Sequence, residues 1–316
     1  MILWVLLAAA LATPPPPQAA GADRATLLAG ASAALAAGRR DEALSLLQQA
    51  ADRFGSVQAL LQIAQLDAAN HDGRAALASL ARARTLAPNS EEVLSAVAQA
   101  SLAARLPLPA AAALEALTRM CPDVAQYHYL FGVTLMAAGD MPHAVEELKQ
   151  ADVREPHRSL TLAALGLALN SQKQFTDAKG VLTESLALDP DRPETIAALA
   201  ESEAALGDIA AAERDAQRAL TRSPQDPTAN LVLGEIRLQQ GRYDEAREAL
   251  LKAAAADPHS PKPDYQLSLV YARLGDTANA QRSIDSYQRK QKEMEAQITA
   301  LRRTRLPGTD SRAGGR

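Results

Sequence analysis

Cys121 is the only cysteine among 316 residues, which excludes an internal disulfide and a metal cluster built on cysteine. It stands directly before Pro122, where a small packing residue is the simplest reading. Aromatic residues make up only 3% of the chain, and its one tryptophan is Trp4. Charge is also sparse in surplus: the formal net charge of -4 is mixed along the chain, so no basic face is large enough to hold phosphates, and nucleic acid is excluded as a partner class. There is no glycine-rich phosphate loop, and no two of His71, His128, His143, His157 and His259 share ligand spacing on one helix. No cofactor or metal is therefore expected, and no segment is left over to supply a catalytic centre. What the chain does have is alanine and leucine: it is 47% hydrophobic with few β-branched runs, which predicts an all-α fold.

Long apolar runs are missing too. The longest, Ile2 to Ala12, falls short of the about 20 residues that a membrane-crossing helix needs. It is followed by four prolines, and Ala10-Leu11-Ala12 has the small-x-small pattern that a signal peptidase accepts. Residues 1–22 are accordingly read as a secretory signal and a proline-rich linker, which places the mature protein in the periplasm or outside the cell. No Lys or Arg precedes the apolar run, so two alternatives stay open: an uncleaved anchor that holds the protein near a membrane, and a cytoplasmic protein.

The prolines carry the organising signal. Pro88, Pro122, Pro156, Pro190, Pro224 and Pro258 stand 34 residues apart without a slip. Such a period marks a repeat array. With each proline at position 32, units begin at Val57, Glu91, Ala125, Ser159, Pro193, Pro227 and Pro261, with an eighth near Arg24 that ends at Gly55. Position 20 is always alanine: Ala43, Ala76, Ala110, Ala144, Ala178, Ala212, Ala246 and Ala280. Position 8 is always small, including Gly132, Gly166 and Gly234, and position 24 is large in seven units, including Leu148, Leu182 and Leu250. Gly38, Gly139, Gly207, Gly241 and Gly275 stand at position 15, where Arg105 and Lys173 take the place in two units.

This pattern predicts two antiparallel helices per unit, over positions 2–14 and 18–30. Glycine ends the first in a left-handed conformation, and proline stops the second. Small residues at 8 and 20 let the helix axes approach to about 8 Å, and the large residue at 24 fills the space beside them. One hairpin cannot bury its apolar face alone, so stability has to come from stacked neighbours. Pro107 and Pro109, in Leu106 to Ala111, predict a variant start to one second helix.

Small at 8, alanine at 20, a glycine turn at 15 and proline at 32 of a 34-residue unit resemble the tetratricopeptide repeat, over about residues 24–294. The resemblance implies a right-handed superhelical solenoid of about eight helix-turn-helix repeats with a long C-terminal capping helix. Position 4, tryptophan in the family, is here aliphatic or polar, including His128, Asn230 and Asp264, which predicts looser final units. After the array, residues 295–306 are read as an extension of the capping helix and 307–316 as a disordered tail. The stripe Ala280, Ile284, Tyr287, Gln291, Met294, Ile298 and Leu301 suits either a solvating cap or a short coiled coil that supports a weak dimer.

The resemblance further implies a concave groove lined by positions 2, 5, 9, 12 and 13 of the first helices, and a non-enzymatic protein-protein interaction scaffold. Early units contribute Gln58, Leu61, Gln65, Glu92 and Gln99. The apolar middle is Tyr129, Val133, Met136, Leu160 and Leu167 with Asn170; an acidic flank follows with Glu194, Glu201, Leu231 and Glu235, and then Lys262, Tyr265 and Arg273. The Lys, Arg and Asn cluster by which some members clamp a terminal carboxylate is missing. Such a groove suits an amphipathic helix or extended peptide with some positive charge, and the expected partner-binding residues are Tyr129, Val133, Met136, Leu167, Asn170, Glu201 and Glu235. Assembly of an envelope complex is the role expected of it.

Overall fold

The computed structural model describes residues 17–304. The expected signal and the tail fall largely outside these residues. The described chain is helical throughout, with no strand: α1 (Pro17–Ala36), α2 (Arg40–Phe54), α3 (Val57–Ala69), α4 (Gly73–Leu86), α5 (Glu91–Ala103), α6 (Pro107–Met120), α7 (Ala125–Ala137), α8 (Met141–Arg154), α9 (Ser159–Ser171), α10 (Phe175–Leu188), α11 (Pro193–Ala205), α12 (Ile209–Arg222), α13 (Pro227–Gln239), α14 (Tyr243–Ala256), α15 (Lys262–Arg273) and α16 (Thr277–Thr304). First helices occupy positions 1–13 and second helices 17–30, within a residue of the expected bounds. The helix α1 starts inside the segment read as linker.

The chain forms two compact units that divide between Ala104 and Arg105, beside the turn that carries Pro107 and Pro109. The first holds α1 to α5 and the second holds α6 to α16. The 34-residue spacing runs through this point without a break and gives no sign of the division.

The same pair of backbone bonds recurs in every hairpin turn except the one between α5 and α6. Gly139 donates its N–H to the Met136 carbonyl at 3.0 Å and Asp140 to the Leu135 carbonyl at 2.9 Å, with Gly139 at φ +82°. This satisfies carbonyls that the helix end would otherwise orphan. Lys173 makes the equivalent turn at φ 62°, bonding to Asn170 at 2.9 Å, so a left-handed conformation that suits glycine is imposed on lysine by the hairpin around it.

The close approach of the paired helices is visible in the second unit's glycines. A Cβ placed on Gly132, Gly166 or Gly234 would lie 2.6, 2.4 or 2.5 Å from Cγ of Leu148, Leu182 or Leu250 respectively. Position 8 thus abuts position 24, as the repeat pattern predicts. Around Gly166, the buried side chains Val145, Leu148, Leu165, Leu169, Ala178, Leu182 and Leu199 join three successive hairpins into one core.

The polar residues at position 4 are tied down, where the repeat pattern alone predicts looseness. His128 is 6% exposed; its Nδ1 lies 2.7 Å from Glu147 and its Nε2 lies 2.9 Å from the Pro122 carbonyl. Asn230 Nδ2 donates to the Asp226 carbonyl at 2.8 Å and reaches the Pro224 carbonyl at 3.4 Å. Asp264 accepts from Ser286 at 3.0 Å and pairs with Lys290 at 2.6 Å. In the first two cases a polar side chain takes up the carbonyl of the preceding unit's proline.

Candidate partner-binding face

Within the second unit, first helices touch one another from α7 through α9, α11 and α13 to α15, while second helices have no comparable contact among themselves. A stack that is tighter along its first helices curves with those helices inside. The inner face therefore carries positions 2, 5, 9 and 12, and this is where the expected binding residues are brought together.

They do not all serve alike. Tyr129, Val133 and Met136 on α7 and Leu167 on α9 are half-buried, each packed on one side against the shared core and open on the other. Leu160 stands exposed near the start of α9. These side chains form an apolar strip along the inner face. Asn170, by contrast, is 3% exposed, and its polar atoms are used up: Nδ2 donates to the Ala198 carbonyl at 2.7 Å and Oδ1 accepts from Ser202 Oγ at 2.7 Å. It fastens α9 to α11. Leu61 and Leu231 are likewise buried and belong to packing, whereas Gln58, Gln65, Glu92 and Gln99 on the first unit are not buried.

The acidic flank is already engaged. Lys262 of α15 reaches Glu201 of α11 at 2.6 Å, spanning two units, and Gln266 Nε2 donates to Glu235 at 2.8 Å. Burial raises the carboxyl pKa of Glu235, offset in part by the Gln266 bond and reinforced by the negative charge of Glu201. Spacing does not pair these residues, because Lys262 meets Glu201 only when curvature carries position 2 over position 9 two units earlier. Glu203, on another side of α11, lies deeper: burial and the charge of Asp215 raise its pKa, against Lys179 at 3.4 Å. Its cation partner comes from α10 of the preceding hairpin, so it belongs to the packing between hairpins.

A separate cleft of about 290 Å³ lies between second-helix residues Pro142, Val145, Glu146, Lys149 and Gln150 and the turn residues Gln172 and Gln174. Among the described residues, no group of three His, Cys, Asp or Glu side chains is placed to hold a metal ion, and no helix is long and apolar enough to cross a membrane.

Comparison with known proteins bears on this architecture. Residues 97–159 and 197–261 match the family model for the tetratricopeptide repeat. The TPR repeat-containing protein PA4667 of Pseudomonas aeruginosa is 29% identical over 153 residues, covering 47% of this chain and 25% of that protein. The chain spans a quarter or less of the length of the curated relatives it matches, at 7%, 16% and 25%. Among solved structures, a tetratricopeptide repeat protein from Parabacteroides merdae superposes with a TM-score of 0.57 at 14% identity, over 79% of this chain and 99% of that one. PilW, a widely conserved type IV pilus biogenesis factor, superposes with a TM-score of 0.51 at 21% identity, over 66% of this chain and 96% of that one. At such identities these structures share the fold. Residues 97–159 and 197–261 are thus tetratricopeptide repeats, and the 34-residue hairpins and the glycine-leucine contacts between paired helices carry the same pattern beyond them.

Proposed function

We propose that the second unit acts as a non-catalytic scaffold that captures a peptide or helix of a protein partner on its inner face. Proteins of this family generally mediate protein-protein interactions. The observation that carries the reading is the apolar strip of Tyr129, Val133, Met136 and Leu167, half-buried yet open along the inner face. Tyrosine suits such a surface, since its ring supplies contact area and its hydroxyl stays wet. A helix with an apolar stripe, or an extended segment with alternate apolar side chains, matches this strip. Beside it, Glu201 and Glu235 favour a partner with positive charge, which would exchange for Lys262 and Gln266.

The setting we propose is the cell envelope. The apolar run Ile2 to Ala12 with Ala10-Leu11-Ala12 supports export, and a role in envelope-complex assembly follows from that location. Mass spectrometry of the chain expressed in a bacterial host tests it: export predicts a mature mass that starts near Thr13 and lacks Trp4, whereas Met1 retained in a soluble fraction rules it out. If the run stays uncleaved in a membrane fraction, the same surface works from a tether. A weak dimer, if formed, would use Ile284 and Met294, which stand exposed on α16. Capture of the partner from an envelope extract, with loss of capture on Tyr129→Ala with Val133→Ala, tests the binding face itself.

A further inference from the structure

The helix α16 is twice as long as the other second helices, with 28 residues against 14 in α8, α10, α12 and α14. Its first half does what a last helix must: Tyr287 packs on Tyr265 with ring centroids 5.5 Å apart, and Lys290 pairs with Asp264. Its second half leaves the hairpin. At a rise of about 1.5 Å per residue, Ile298 lies roughly 32 Å along the helix from Thr277.

There it meets the turn of a distant unit. A Cβ built on Gly139 would lie 2.9 Å from Ile298 Cγ1 and 3.3 Å from Cδ1. Gly139 closes the turn between α7 and α8, four units before the one α16 belongs to. The other turn glycines show nothing comparable: around Gly38, Gly207 and Gly275 an added Cβ would meet nothing within 4 Å, and Gly241 faces only its neighbour Tyr243. Between the two ends of this contact stand α7, α9, α11, α13 and α15, the helices that form the inner face.

The geometry points to a clasp: α16 closes the second unit into a ring by seating Ile298 on the Gly139 turn, and access to the inner face is regulated by opening that contact. The inference rests on the inner face being the partner-binding surface. Ile298 makes the seat, and Met294, one turn earlier, stands exposed. A contact of that size holds the ring shut without locking it. Glycine at 139 serves two ends, the left-handed turn and the space that Ile298 occupies, and the second is particular to this unit.

The test needs no partner. In the full chain with Cys121→Ser and a reporter Leu167→Cys on the inner face, the rate of modification is measured with N-ethylmaleimide and with a maleimide carried on a 5-kDa polyethylene glycol. Adding Ile298→Asp is expected to speed the bulky reagent at least fivefold while changing the small one less than twofold. A bulky-reagent rate that Ile298→Asp leaves unchanged overturns the clasp. Hydrogen exchange across residues 291–300 provides the second readout, expected to be at least tenfold slower in the chain that keeps Ile298 than in the Ile298→Asp variant; equal exchange likewise overturns it. Neither readout depends on partner affinity. A failed clasp would leave the binding-face reading standing, and a Tyr129→Ala with Val133→Ala chain of unaltered affinity would sink that reading while the clasp stood.

Discussion

Gly166→Ala is expected to destabilise the protein by about 1–3 kcal/mol, the range for forcing an extra carbon into a packed core, although alanine is by itself the better helix former by about 1 kcal/mol. The reason is the 2.4 Å that would separate the new Cβ from Leu182 Cγ, with Leu182 Cδ2 at 2.5 Å and Cδ1 at 3.1 Å. Leu182 is fully buried, so its branch point cannot swing away without disturbing Ala178 and Leu148 in the same core. The matched control is Gly180→Ala on α10, where an added Cβ meets nothing within 4 Å. There the propensity gain stands alone and stability is expected to rise by about 0.5–1 kcal/mol. Denaturant titration of the two variants reads opposite signs from one chemical change; if both stabilise, the helix crossing is looser than the geometry implies.

Asn170→Ala carries the second large effect. Truncation removes the donor to the Ala198 carbonyl and the acceptor for Ser202 Oγ, both inside the interface between α9 and α11. A buried hydrogen-bonding group left without its partner costs about 1–3 kcal/mol. Ser202 keeps a bond to the Ala198 carbonyl at 3.2 Å, which places the expected loss near about 2 kcal/mol and away from the top of that range. The loss should appear as a lower midpoint with partner affinity unchanged once the chain is folded. A stable variant with weakened binding would return Asn170 to the surface role that its position in the repeat suggests.

Much of the architecture is legible from spacing because its determinants are local to one 34-residue unit. Glycine at position 8 faces leucine at position 24 only 16 residues later, within the same hairpin, and left-handed turns at position 15 follow from backbone bonds a few residues long. The proposed binding face is legible in outline for the same reason: Tyr129, Val133, Met136 and Leu167 sit where their position in the unit puts them.

What spacing does not disclose depends on contacts between units. Asn170 reads as a surface residue until Ser202, 32 residues on, takes its carbonyl oxygen. Lys262 and Glu201 are 61 residues apart and meet through the curvature of the stack. Ile298 belongs to an even-looking apolar stripe that suggests a cap or a coiled coil. In the structure that stripe divides, with Ala280 and Tyr287 turned to α15, Ile284 and Met294 exposed, and Ile298 against Gly139. The rings near the start of α7 divide in a similar way. His128 and Phe131 are buried, and Tyr129 remains half-open on the inner face.

The measurement that bears most directly on the proposed role is the dissociation constant of the captured partner for the wild-type chain and for Tyr129→Ala with Val133→Ala, taken beside their melting temperatures. Both side chains also pack on the core, so some stability is lost, on the order of 1 kcal/mol for each half-buried group. The account predicts affinity weakened at least tenfold, about 1.4 kcal/mol or more, with the variant still folded at the temperature of the assay. Equal affinity for the two folded chains would contradict it.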